Sequence, residues 1–281
     1  MVTLICTVRH CGEPLERRDR VWVCSRGHSF DVARSGYCNL LQPQDRRSPR
    51  PGDPPEAVAA RRRLLDAGYG GPLLSALLEE IDSLPLPSGA AVLDAGCGEG
   101  TYLGEIARRR QVEAHGTDLS TAAIELAARR FPEVTWTIAN ADRLLPYATG
   151  SFELVLSIDA RLNPEEMRRV LRPDGRLLVA VPAADDLIEL REAVLGQGVL
   201  KERIERSIAW LDDEDFELES RSSVRTTVRL DPDAARDALA ATYRGGRASR
   251  SQRIDALAAM DVTLSHDLAR FRRKRSTGSS L

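Results

Sequence analysis

The run Ala91-Val92-Leu93-Asp94-Ala95-Gly96-Cys97-Gly98-Glu99-Gly100 constrains the fold more than any other stretch of these 281 residues. Val92 and Leu93 suit a strand buried within a parallel sheet. Glycines at three alternate positions then let the backbone turn tightly and meet a ligand with no Cβ in between. A helix is expected over residues 101–110. A flat, polar cofactor can lie against the main chain at such a turn.

The spacing departs from the dinucleotide fingerprint G-x-G-x-x-G, because Tyr102 and Leu103 stand near where its third glycine would be. It resembles instead the first motif of class I S-adenosylmethionine (SAM) methyltransferases, hydrophobic-D-x-G-x-G-x-G. The sequel strengthens the likeness. Residues 113–118 read as a second strand ending in Asp118, about twenty residues on, where an acid holds ribose hydroxyls in nucleoside-binding α/β folds. Residues 134–140 alternate as a third strand, and Asp142 follows its carboxyl end, within reach of an adenine edge. The expected cofactor contacts are therefore Asp94, Gly96, Gly98, Glu99, Gly100, Asp118, Leu119 and Asp142. Asp118 has a blander role open to it, capping the next helix, which Ser120 could fill as well. One cofactor explains three placements in the right order; separate structural roles need three coincidences.

Five cysteines are spread unevenly, with Cys6, Cys11 and Cys24 crowded at the amino end. In a reducing compartment, clustered thiols favour a metal over disulfides. Cys6-x4-Cys11 and Cys24-x3-His28 form two knuckles that supply four ligands, as tetrahedral zinc requires of a segment with little core of its own. His10 competes with Cys11 for the second place. Cys38 reads as packing, and Cys97 as a small residue in the glycine turn. Net charge is −2, yet residues 1–65 carry twelve Arg against seven Asp and Glu, so the basic excess is local to the amino end. No run is apolar enough to span a membrane and no signal pattern opens the chain, so a cytoplasmic protein without membrane contact is expected.

Residues 42–55 turn polar, proline-rich and basic, as a linker or RNA-facing loop would. Two helices broken at Gly68–Pro72 follow over residues 56–83, with Arg61, Arg62 and Arg63 expected on a solvated face. After the three cofactor strands come a fourth over 152–159, a helix over 164–171, a fifth strand over 176–181 and a helix over about 184–195. Strands over 216–230 and 261–271 enclose helices at 231–243 and 250–259. Alternating βα units that end in an antiparallel pair describe a doubly wound α/β sheet. The domains read as an amino-terminal unit (1–45), a linker and helical segment (46–88) and a catalytic domain (89–281).

Four features then occur together: the cysteine-histidine pattern, the run Phe30-Asp31-x-Ala33-x-x-Gly36-Tyr37-x-Asn39-Leu40-Leu41, the Arg-rich helix with Leu65-Asp66-Ala67-Gly68, and the SAM motif. In this the chain resembles the 23S ribosomal RNA guanine-N1 methyltransferases over nearly its full length. The resemblance implies a Rossmann-like class I SAM methyltransferase sheet with a small amino-terminal zinc ribbon. It also implies SAM and Zn2+ as cofactors, an rRNA hairpin as partner, methylation of guanine N1, and a homodimer. Some relatives confer resistance to macrolide antibiotics. Three positions depart from the family pattern. Asp159-Ala160-Arg161 replaces an aromatic-Ala-Pro element, Gly70 stands where many relatives carry an aromatic residue, and Asp186 stands where many carry a histidine. Asp159 is the expected catalytic group, with capping of the segment entering Asn163-Pro164 as its alternative. Two other functional classes stay open: a SAM enzyme for a small molecule with the ribbon as a cap, and an RNA-binding protein without catalysis.

Overall fold

The computed structural model describes residues 1–46, 51–196, 200, 203–241 and 251–274. Its amino-terminal part holds β1 (Leu15–Arg18), β2 (Val21–Cys24), β3 (Ser29–Asp31) and β4 (Cys38–Asn39), followed by helices α1 (Pro55–Asp66) and α2 (Gly71–Asp82). Next come β5 (Ala90–Ala95), α3 (Thr101–Arg109), β6 (Val112–Asp118), α4 (Thr121–Arg130), β7 (Thr135–Ile138), β8 (Phe152–Ile158), α5 (Pro164–Val170) and β9 (Leu171–Pro182). The chain ends with α6 (Ile188–Leu195), α7 (Ile204–Asp213), β10 (Phe216–Leu230), α8 (Pro232–Ala240), α9 (Ser251–Asp255) and β11 (Met260–Arg273). Residues 47–50 of the expected linker, 242–243 of the expected 231–243 helix, and Arg250 lie outside the described residues.

Every residue of β5 is buried, which fits the strand at the centre of a sheet covered on both faces. The large sheet has the order β10-β11-β9-β8-β5-β6-β7-β4. Strands from β4 to β9 pair in parallel, while β11 runs antiparallel to both β9 and β10. The order reverses between β5 and β8, so the crevice outside their carboxyl ends is the topological switch point at which such sheets bind ligands. β1 to β3 form a separate three-stranded antiparallel sheet.

Three features differ from the sequence reading. α5 stops at Val170 and β9 begins at Leu171, so Gly175 lies within the strand segment rather than past a helix end. Residues 204–213, which carry no expected element, form α7. Its Ile204 and Leu211 are buried and Ile208 packs against the same core. Finally, β4, within the 1–45 segment, is the outermost strand of the large sheet and pairs in parallel with β7. The ribbon is seated further by a bridge between Leu4 and Tyr147, and Leu4, Cys6, Leu15 and Phe30 share a core with Tyr147 and Phe152. Tyr147 is fully buried, with its hydroxyl 3.0 Å from that of Thr117, itself 2.7 Å from that of Thr137.

Glycine lets α3 and β6 close on two large rings. A Cβ on Gly116 would fall 2.2 Å from the Trp136 ring, and one on Gly104 would fall 2.3 Å from Phe131 Cγ. Gly104→Ala would gain up to about 1 kcal/mol of helix propensity. It would also overpack a fully buried ring at its root, which costs about 1–3 kcal/mol. The expected outcome is a net loss of about 1–2 kcal/mol, read as a lower denaturant midpoint at unchanged slope.

Candidate functional site

The glycine turn leaves β5 into the switch-point crevice. The N–H groups of Gly96 and Cys97 both donate to the Thr117 carbonyl, at 2.8 and 3.2 Å, and the Gly98 N–H donates to Asp118 Oδ2 at 3.0 Å. Gly96 (φ 92°) and Gly98 (φ 55°) adopt the left-handed conformation that a side chain would strain. A Cβ on Gly96 would strike Ala160 Cβ at 2.4 Å, and one on Gly98 would come within 3.4 Å of Arg61 Nη1. Gly100 faces the other way: a Cβ there would meet the Trp136 ring at 2.4 Å and Ala127 at 2.8 Å. Two of the three motif glycines border the crevice, and the third lets the core close.

Three carboxylates gather at this turn. Asp94 is 2% exposed and Glu99 3%. Asp94 Oδ1 and Glu99 Oε2 make no hydrogen bond. Burial, with Asp118 and Glu99 nearby, holds the Asp94 carboxyl well above the usual carboxylate range. Burial raises Glu99 as well, against the pull of Arg61. Asp118 is also raised by burial, although it accepts from the N–H groups of Ser120, at 2.7 Å, and Gly98. Ser120 caps α4 through its own hydroxyl, so that role does not fall to Asp118. Buried carboxylates, two of whose oxygens make no hydrogen bond, beside a turn whose glycines bare the backbone fit a ligand that brings an ammonium and ribose hydroxyls as donors, as SAM does.

Arg61 is half-buried, in place of the solvated position expected for its run. Its Nη2 lies 2.8 Å from Asp53 Oδ2 and its Nη1 lies 3.9 Å from Glu99 Oε2, so α1 lays a guanidinium over the glycine turn. Arg62 pairs with Asp66 and Arg63 with Asp237, each at 2.5 Å. Leu119 is half-buried against the apolar cluster on α3 and α4. Asp142 lies just past β7, its N–H on Asn140 Oδ1 and its carboxylate 3.2 Å from Arg161 Nη1.

Asp159 lies just past β8, next to Ala160, which touches Gly96. It has a left-handed φ of 54°, tolerated better by Asp and Asn than by most residues, and its N–H donates to the Ala180 carbonyl at 2.9 Å. The capping alternative fails, because Asn163 caps α5 with its own side chain. Asp159 Oδ2 instead lies 3.2 Å from His266 Nε2 on β11. Burial would lower the His266 pKa, but Asp159 and Asp186 outweigh it and raise it. Asp186 accepts the Ser265 N–H at 3.0 Å, and burial raises its carboxyl. The Tyr102 hydroxyl reaches toward Gly70, 3.0 Å from where a Cβ on that glycine would be. Nothing in the sequence pointed to His266, because a histidine in an antiparallel strand matches no motif.

In the ribbon, Cys6, Cys11, Cys24 and His28 come together with their ligand atoms all within 4.8 Å of one another. Cys11 and Cys24 sulfurs are 3.9 Å apart, and His28 Nδ1 is 3.4 Å from the sulfurs of both Cys6 and Cys24. Tetrahedral zinc with Zn–S of about 2.3 Å has sulfur–sulfur edges of about 3.8 Å, so the donors fit the ion. His10 stays outside the cluster and offers its carbonyl to Arg26. Cys38 is buried in the core, which pushes its thiol up to about 12. Cys24→Ala should abolish zinc binding and unfold the ribbon while SAM binding persists. Metal analysis of the parent protein should find about one zinc per chain, and well under one would overturn the assignment.

Comparison with known proteins agrees with this geometry. The family model described as a methyltransferase domain matches residues 92–175, and the one described as "RlmA, N-terminal", a zinc ribbon, matches residues 4–49. Over 231 residues the chain is 38% identical to the 23S rRNA (guanine(748)-N(1))-methyltransferase of Streptomyces fradiae, covering 80% of each. The fold is similar to that of the YcgJ protein from Bacillus subtilis, with a TM-score of 0.53 at 18% identity over 71% of this chain and 98% of that one. It is similar too to the protein solved in complex with the Haloferax volcanii Trm112 methyltransferase activator, with a TM-score of 0.52 at 16% identity over 79% of this chain and 98% of that chain. A ribbon that fits zinc, a crevice that fits SAM and a likeness spanning most of both sequences lead to one conclusion: this chain belongs to the 23S rRNA guanine-N1 methyltransferases, SAM-dependent enzymes with an amino-terminal zinc ribbon.

Proposed function

We propose that this protein methylates N1 of a guanine in a hairpin of 23S rRNA, acting in the cytoplasm as a homodimer. The reading rests on the similarity to the Streptomyces fradiae enzyme across 80% of both chains. Among the described residues no helix is long and apolar enough to cross a membrane. Residues 1–45 would hold the RNA hairpin, and residues 89–281 would carry the reaction. Mass spectrometry of 23S rRNA from cells with and without the gene tests the whole reading: a methylguanine present only with the gene supports it, and identical rRNA overturns it. If the modified base lies where macrolides bind, the same pair of strains should differ in macrolide sensitivity.

SAM supplies a methyl group on a sulfonium. Asp118 would accept ribose hydroxyls, Asp94 and Glu99 would face the ammonium, Arg61 would meet the carboxylate, and Leu119 and Asp142 would border the adenine. The enzyme's share of such a transfer is mostly positioning, with the target base flipped out if it starts paired. Guanine N1 must also lose its proton as the new bond forms. Asp159, with one oxygen held by His266, has its other oxygen free to take that proton.

Two variants separate these roles. Asp118→Ala removes a charged acceptor worth about 1.5–3 kcal/mol, so calorimetry should show SAM affinity falling about tenfold to a hundredfold. An unchanged affinity would misplace the ribose. Asp159→Asn keeps the left-handed backbone and loses the base. Single-turnover methylation should slow by about 10²–10⁴-fold with SAM affinity unchanged, and a rate within about threefold of the parent would falsify the acid–base role.

A further inference from the structure

α7 carries charged and aromatic side chains that neither the core nor the cofactor crevice uses. Ile204, Ile208 and Leu211 turn inward. Arg203, Arg206, Ser207 and Trp210 sit on the adjoining side, at the spacing of one helix face. They line an open groove of about 780 Å3, whose other wall is Asp142, Ala160, Arg161, Leu162, Asn163 and Val181. Trp210 is 46% exposed, unlike Trp136, which is buried in the core. Arg206 makes no hydrogen bond or ion pair among the described residues, and Arg203 meets only the Pro182 carbonyl, at 3.5 Å. Arg161 shares its charge with Asp142. The acid of α7 nearest these groups in sequence, Glu205, is engaged by Arg221. The groove is thus net basic with an exposed indole in its wall. It begins at Ala160, the residue that touches Gly96 in the cofactor turn.

We propose that this groove binds the unpaired nucleotides flanking the target guanine, with Trp210 stacking on a neighbouring base and Arg203 and Arg206 holding phosphates. The inference rests on reading the protein as an RNA methyltransferase. A base delivered to the space beside Ala160 lies in the mouth of the groove that Arg203, Arg206 and Trp210 also line, so its backbone neighbours would run along α7. An aromatic face with cations alongside is the sequence-tolerant way in which proteins hold single-stranded RNA. Its position assigns the groove a task distinct from that expected of the ribbon: the ribbon would recognise the hairpin, whereas α7 would hold the extruded strand while methyl transfer occurs.

The test uses the full-length protein with Trp210→Ala, Trp210→Phe and the double variant Arg203→Ser/Arg206→Ser. Two measurements are made on each: anisotropy binding of a single-stranded RNA oligonucleotide, and steady-state methylation of 23S rRNA. Trp210→Ala should weaken oligonucleotide binding and raise KM for rRNA roughly 5- to 150-fold, with Trp210→Phe retaining most of the affinity and SAM affinity unchanged in both. The double variant should flatten the salt dependence of binding by about 1.4 in log–log slope, two single-strand phosphate contacts' worth. If the parent methylates rRNA and Trp210→Ala matches it within twofold in both assays, the groove assignment is wrong. If the parent binds oligonucleotide through Trp210 but leaves 23S rRNA unmodified, the groove stands and the substrate reading falls. If sedimentation shows that Trp210→Ala dissociates a dimer and the RNA effects vanish once subunit concentration is raised, the face joins two copies of the chain and the proposal is overturned.

Discussion

Three buried acids gathered around one turn of backbone set the terms for everything around the crevice. Burial raises the proton affinity of Asp94, Glu99 and Asp118, and the nearby charges of Asp118 and Glu99 raise that of Asp94 further. Such a cluster persists only if cations and N–H groups are brought to it. The glycine turn supplies one N–H from Gly98, and Ser120 supplies another. The remaining positive charge comes from outside the sheet, on Arg61 of α1, which Asp53 and the Ala241 carbonyl hold in place. The helical segment between ribbon and sheet is therefore a wall of the crevice as well as a connector. Arg63, paired with Asp237 of α8, and Asp66, paired with Arg130 of α4, tie that wall to the rest of the fold.

Glycine serves two ends in this motif. Gly96 and Gly98 keep side chains out of the space where a cofactor would lie, whereas Gly100, Gly104 and Gly116 let Trp136 and Phe131 fill the layer behind it. Trp136 is anchored by its indole N–H on the Phe131 carbonyl at 2.8 Å. A turn that must be open on one side is thus made rigid from the other.

What could be read in advance followed from periodicity and local motif. β5 and β8 announce themselves by apolar runs that lead into Gly96 and Asp159, β6 by the acid that ends it, β7 by its alternation, and the zinc ligands by spacing within two short knuckles. What could not be read depends on partners far away in sequence. β4 has only two residues, and pairing with β7 alone makes it a strand. α7 is an ordinary amphipathic stretch until β10 and β11 cover its apolar side. Arg61 looks like any member of a basic run, and only the buried carboxylates opposite distinguish it from Arg62 and Arg63. His266 acquires meaning because β11 inserts antiparallel beside β9 and brings it to Asp159, the residue at which the family pattern breaks.

The seat of β4 on β7 bears on how the molecule is made. The amino-terminal unit leaves the ribosome before the large sheet does, so β4 lacks the sheet edge that seats it until residues 135–138 exist, and Leu4 lacks its bridge to Tyr147 until that residue follows. During that interval the nascent segment can complete by itself the zinc cluster, whose ligands all fall within residues 6–28, and the β1–β3 sheet that the cluster pins. Metal capture then acts as a holding step in synthesis. It keeps the early segment folded and its apolar face preformed until the sheet edge that will receive it has been translated.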